Sequence, residues 1–192
     1  MKRNFDLIHP TEDSINDIIF KFKKNYKLQR PYDLIRDFCI KNPTNDKFEN
    51  VVLKSSIINS LYSTHIYNIF GVAEHIYNLS IDSELQNGSD EIVEKIGVLD
   101  RGIKKVNNYS FATKYCSFHF PKVYYMYDKY VAELLVAYKT KDQFAKFYKK
   151  DLRHYPTYKN ILDNFKLFYN LQNIENNYLD NFLWLYGKTV FK

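Results

Sequence analysis

Cysteine is almost absent from this chain, and the two that occur, Cys39 and Cys116, lie far apart and outside any CxxC or Cys/His ligand spacing. That pattern excludes a disulfide framework and a structural zinc site. There is no glycine-rich phosphate loop, no Ser-His-Asp order and no HExxH helix, so none of these signatures supplies a chemistry. No cofactor and no metal are expected. The N-terminal "MKRNFDLIHPTEDS" lacks an apolar signal core, and no stretch approaches ~18 uninterrupted apolar residues, which predicts a cytoplasmic protein without a membrane partner. Proline is missing from Thr44 to Phe120, a gap that suits long helices.

Aromatic residues are plentiful. Eighteen Tyr and fifteen Phe in 192 residues exceed what one core usually needs, so many rings are expected half exposed, where Tyr can stack and hydrogen-bond. The apolar share of 45% supports a packed core rather than a disordered chain. A net charge of +6 favours polyanionic partners.

The periodicity reads as helices. Thr11 is a plausible N-cap for a helix with Ile15, Ile18, Ile19 and Phe22 on one stripe, and Pro31 fits the first turn of a second with Leu34, Ile35 and Phe38. "KNPTNDKFEN" reads as a loop. Ile58, Leu61, Tyr62, Ile66, Ile69, Ala73, Ile76 and Tyr77 predict one long helix, with His65 as a core histidine on its apolar face. Gly88 predicts a turn, Ser89 the cap of a short helix ending near Gly97, and Gly187 the end of the last helix. "KVYYMY" is the one strand candidate. The expectation is all-α: a single compact domain over residues 1–192 with eight to ten helices, its oligomeric state open.

Two features carry chemistry. In "RGIKKVNNYSFATKYCSFH" a polar turn with Lys104, Lys105, Asn107, Asn108 and Ser110 opens a helix. Free N–H groups and nearby lysines make such a turn either a phosphate seat or an ordinary helix connection. Asp128 follows Tyr124, Tyr125, Met126 and Tyr127, and "YDKYVAELL" fits it as a helix N-cap. An aspartate that caps a helix is held rigidly, as a general base or a cation stabiliser requires. His119 and His154 have no companion at ligand or triad spacing.

Taken together, "SLYSTHIYNIFGVAEHI", "KKVNNYSFATKYCSFH" and Asp128 resemble the helix-hairpin-helix base-excision DNA glycosylases, the superfamily of the 8-oxoguanine and endonuclease III-like enzymes. The resemblance covers residues 50–140, with the hairpin near 102–110. It implies an all-α fold, DNA as partner, and hydrolysis of the N-glycosidic bond of a damaged or modified base extruded from the stack. It implies Asp128 as the carboxylate that stabilises the positive sugar or activates water. Tyr62, Ser63, Thr64 and His65 would face the pocket or the duplex, with Tyr115 and Phe118 beside the base. Lys104, Lys105, Asn107, Asn108 and Ser110 would hold the backbone. The family's hairpin is glycine-rich where "KVNNYS" has asparagines, which tolerate left-handed backbone. Its four-cysteine iron–sulfur loop is absent, so no metal cluster is expected. Its bifunctional members open the post-hairpin helix with a lysine. Here that place is near Ser110 and Lys114 lies one turn later, so monofunctional hydrolysis is the simpler expectation, with Lys114 as the alternative nucleophile. The competing reading is a non-catalytic helical module that binds nucleic acid or protein, for example in phage defence; Asp128 would then serve only as a cap.

Overall fold

The computed structural model describes residues 6–100, 102 and 105–192. Among them ten α-helices, one 3-10 helix and one two-stranded sheet follow one another, which makes the fold all-α. The chain divides into two compact units: Lys27–Met126, and Met1–Tyr26 together with Tyr127–Lys192.

The first of these contains most of α2 (Tyr26–Lys41), then α3 (Phe48–Tyr62), α4 (Ile69–Leu79), α5 (Asp82–Gln86), α6 (Glu91–Gly97), β1 (Val98–Asp100), β2 (Lys105–Asn107) and α7 (Tyr109–His119). Its central element is α7, buried from Phe111 to Phe118 and packed against α3 and α6. β1 and β2 form an antiparallel hairpin with Leu99 opposite Val106. Gly102 supplies the positive φ of +74° at its turn, and its N–H donates to Asp100 Oδ1 at 2.8 Å. Asn108 N–H donates to Gly97 O at 2.7 Å, which ties the start of α7 to the end of α6. Where the resemblance placed its hairpin, near 102–110, there is instead a pair of short strands between two packed helices, strands that the sequence did not announce.

The second unit contains α1 (Glu12–Lys24), α8 (Lys129–Asp142), the 3-10 helix Lys149–Arg153, α9 (Tyr155–Phe168) and α10 (Asn176–Phe191). Thr11 caps α1 by a reciprocal pair with Ser14, and Ile15, Ile19 and Phe22 are buried. Helix α10 packs on both α1 and α8. Phe165 meets Tyr138, Phe144 and Tyr169 with ring centroids 5.4, 5.2 and 4.6 Å away, an aromatic core.

Several sequence expectations are corrected. The long helix over Ile58–Tyr77 is two helices, because Ser63 and His65 take left-handed backbone at φ +47° and +58°. The Asn59 side chain then serves the freed backbone, accepting from Ile66 N–H and donating to Ile66 O, both at 3.0 Å. Asn68 restarts the helix by accepting from Gly71 N–H. His65 is consequently exposed in the corner rather than on a core face. Pro31 lies in the interior of α2, and α3 begins at Phe48, inside the expected loop. The position before α6 is held by Asp90, not Ser89. "KVYYMY" forms no strand; Tyr124 and Tyr125 are fully buried instead, with Tyr124 OH donating to Leu85 O at 3.1 Å. Gly187 lies within α10, where an added Cβ would stand 2.6 Å from Tyr130 O; glycine is there for close helix approach, not for termination.

Candidate functional site

Lys114 is the sixth residue of α7 and is 4% exposed. Helical side chains lean toward the N-terminus, and this one reaches back a full turn. Its Nζ donates to Ser110 Oγ at 2.7 Å and Ser110 O at 3.3 Å. The lysine that stands one turn late in sequence thus delivers its amine at the level of the first turn after the hairpin.

Asp128 is half-buried at the N-terminus of α8, in the other unit. Its Oδ1 accepts from Tyr130 N–H at 2.8 Å, which confirms the cap and fixes the carboxylate. Among the described residues the carboxylate forms no further hydrogen bond.

The remaining expected residues separate into interior and surface. Tyr115 and Phe118 are fully buried within their unit, Tyr115 OH donating to Asn45 Oδ1 at 2.6 Å and Phe118 edge-on to Tyr62 at 5.1 Å. Burial pushes the Tyr62 hydroxyl well above the usual phenol range, with Tyr32 and Asp33 adding to the shift. Ser63 and His65 line an open cavity of about 320 Å³ with Asn59, Ser60, Ile66 and Tyr67; Thr64 Oγ1 donates to Asn59 Oδ1 at 2.8 Å. Tyr67, which periodicity did not single out, is fully exposed there. On the hairpin Lys105 and Asn107 are exposed and Asn108 and Ser110 half-buried, while Lys104 lies outside the described residues.

Beneath α7 lies a buried polar cluster that sequence reasoning missed. Lys54 is fully buried in α3, and its Nζ donates to Thr44 O at 2.7 Å and Asn45 Oδ1 at 3.0 Å. Asn45 in turn donates its N–H and side-chain amide to Asp82 at 2.9 and 2.6 Å. Desolvation lowers the Lys54 pKa, with Cys39, Asp82 and Asp46 opposing the shift. The same burial pushes the Cys39 thiol up to about 11, against the pull of Lys54 and Arg36. His119 drops to about 3 through burial, then through Lys54 and Arg36, and so stays neutral; its Nε2 is shielded without a hydrogen-bond partner. Arg36 meanwhile donates to the carbonyls of Phe118 and His119. The signal for this cluster was a lysine inside the apolar run "VVLKSSII".

The HI_0787_N family model, described as an N-terminal domain, matches residues 13–123. A Haemophilus influenzae protein named "Uncharacterized protein" is 40% identical over 149 residues, 77% of this chain and 71% of that one. The chain belongs to the HI_0787_N family. The match includes α3, the β-hairpin and Lys114, and ends before Asp128. No solved structure matches. Among the described residues no helix is long and apolar enough to cross a membrane, and no group of three or more His, Cys, Asp or Glu could hold a metal ion.

Proposed function

We propose that this protein is a DNA glycosylase that uses Lys114 as an amine nucleophile on the sugar of a damaged or modified nucleotide. The observation that carries the reading is the amine itself, buried one turn into the helix after the hairpin and held by Ser110. A lysine amine attacks carbon only as the free base. In the proposed step the nitrogen bonds to C1′ of the sugar, the bond to the base breaks, and the base leaves with the electron pair and takes up a proton. The sugar ring then opens: the C1′–O4′ bond breaks with its electron pair on O4′, O4′ takes up the remaining amine proton, and an imine between Lys114 and C1′ is left. Asp128, fixed by its cap, is the alternative centre: a carboxylate that stabilises the positive sugar or activates water where no amine attacks. Lys114 and Asp128 belong to different units, and each role is tested by its own variant.

The corner at Ser63–Tyr67 supports the DNA-facing part of the reading. Its left-handed residues, open cavity and fully exposed tyrosine present polar and aromatic groups outward from a break between helices.

The experiment is base release from duplex and single-stranded oligonucleotides carrying a panel of modified bases, run with and without borohydride. The wild type should release a base and leave a reducible protein–DNA adduct. Lys114→Gln should lose the adduct. Asp128→Asn keeps the helix cap, because asparagine caps as well as aspartate, and should lose release where the chemistry is water activated at Asp128. Release without any adduct would move the chemistry to water activated at Asp128. If nothing is released from any substrate, Asp128 is only a cap and the protein is a binding module.

A further inference from the structure

The excess charge of the discontinuous unit is concentrated in one stretch. Between Lys139 and Lys159 there are seven basic and two acidic residues, an excess equal to that of the whole unit, which has sixteen basic and eleven acidic. Lys146, Tyr148, Lys149, Lys150, Arg153 and His154 are all exposed.

The acidic neighbours are engaged elsewhere. Asp151 accepts the N–H of Tyr148 at 2.7 Å, closing the start of the 3-10 helix, and Glu133 pairs with Lys149. Among the described residues no ion pair is formed by Lys146, Lys150 or Arg153. Tyr148 is 73% exposed, and Lys150 Nζ lies 5.8 Å from its ring centroid. Lys139 has a different task, since it donates to Phe147 O at 2.8 Å and so anchors the loop that carries the patch.

We propose that this surface binds single-stranded nucleic acid, with phosphates on Lys146, Lys150 and Arg153 and one unpaired base stacked on Tyr148. Clustered cations release counterions on meeting a phosphate chain, and an exposed ring beside them gives any base a platform whatever its identity. A lysine near the ring adds cation–π attraction to a stacked base. The surface does not depend on the glycosylase reading, because a protein that only binds would use it equally.

The test measures binding of the full chain to labelled single-stranded and duplex oligonucleotides across a salt series. The comparison is wild type, a Lys146→Ala/Lys150→Ala/Arg153→Ala variant, and Tyr148→Ala. All four side chains are exposed, and thermal melting checks that each variant folds. The triple variant should bind single strands about tenfold or more weakly, with its salt slope shallower by about 2. Tyr148→Ala should weaken single-strand binding by about fivefold to a hundredfold and leave duplex binding within about twofold. Wild-type affinity and slope in the triple variant would overturn the proposal, as would a wild type that binds no oligonucleotide. Equal losses on both substrates in Tyr148→Ala would overturn the single-strand assignment. Base release that persists in a triple variant with unchanged binding would sink this surface and leave the glycosylase reading standing. Binding lost in that variant, with no base release by the wild type, would do the reverse.

Discussion

In the Lys27–Met126 unit, Lys54, Asn45 and Tyr115 are buried together around one amide oxygen, and the charge of the unit is nearly balanced, with twelve basic and eleven acidic residues in its sequence. The other unit builds an aromatic core, Phe165 against Tyr138, Phe144 and Tyr169, and among its described residues buries no lysine. The two interiors differ in what holds them. Dispersion and burial are non-directional and forgive small displacements. A buried cation needs every acceptor in place, since its desolvation is repaid only by complete hydrogen bonding. One unit is thus specified by geometry, the other by volume.

Asn45→Ala gives the sharpest contrast. It strips Lys54 and Tyr115 of an acceptor and Asp82 of its side-chain amide donor, leaving Asp82 the backbone N–H of position 45, and should cost about 3–5 kcal/mol in urea denaturation. A loss below about 1 kcal/mol would show that water replaces the amide and that the cluster is not closed. Gly187→Ala comes next, since the new Cβ must displace the Tyr130 carbonyl 2.6 Å away; about 1–3 kcal/mol is expected by thermal melting. His119 then separates the units by pH. Its folded pKa of about 3 lies below the usual 6.5, so the unfolded chain binds the extra proton and stability falls as pH drops from about 6.5 toward 3. The slope contributed by one such group approaches about 1.4 kcal/mol per pH unit, and His119→Gln should remove it from the acid limb of a stability–pH curve. An unchanged limb would mean that the ring is protonated in the folded state. The smallest effect is Lys146→Ala on the exposed surface, within about 0.5 kcal/mol of wild type.

How much of this was legible in sequence depended on range. Caps and local periodicity were readable because their partners lie within a turn or two: Thr11 with Ser14, Asp128 with Tyr130, and the helix ending at Gly97. The Ile58–Tyr77 pattern failed for a physical reason. Its apolar residues do keep helical spacing, but two left-handed residues and one asparagine side chain interrupt the backbone between them. Gly187 failed because glycine also serves close packing, and the partner, Tyr130, is remote in sequence. For Lys114 the residue number alone did not show where the amine lies, because its four methylenes carry it back one turn to Ser110. Lys54 could be flagged as out of place, yet nothing local names Asn45 and Thr44 as its acceptors.

The discontinuity of one unit has a consequence for how the chain is made. Residues Lys27–Met126 are contiguous and can fold as soon as they emerge from the ribosome. Helix α1 emerges earlier, but α10, on which it packs, begins only at Asn176. At ~5–20 residues per second, Ile15, Ile19 and Phe22 wait on the order of ten seconds or more with their apolar faces uncovered. During synthesis the apolar stripe of α1 therefore stays uncovered until α10 is made.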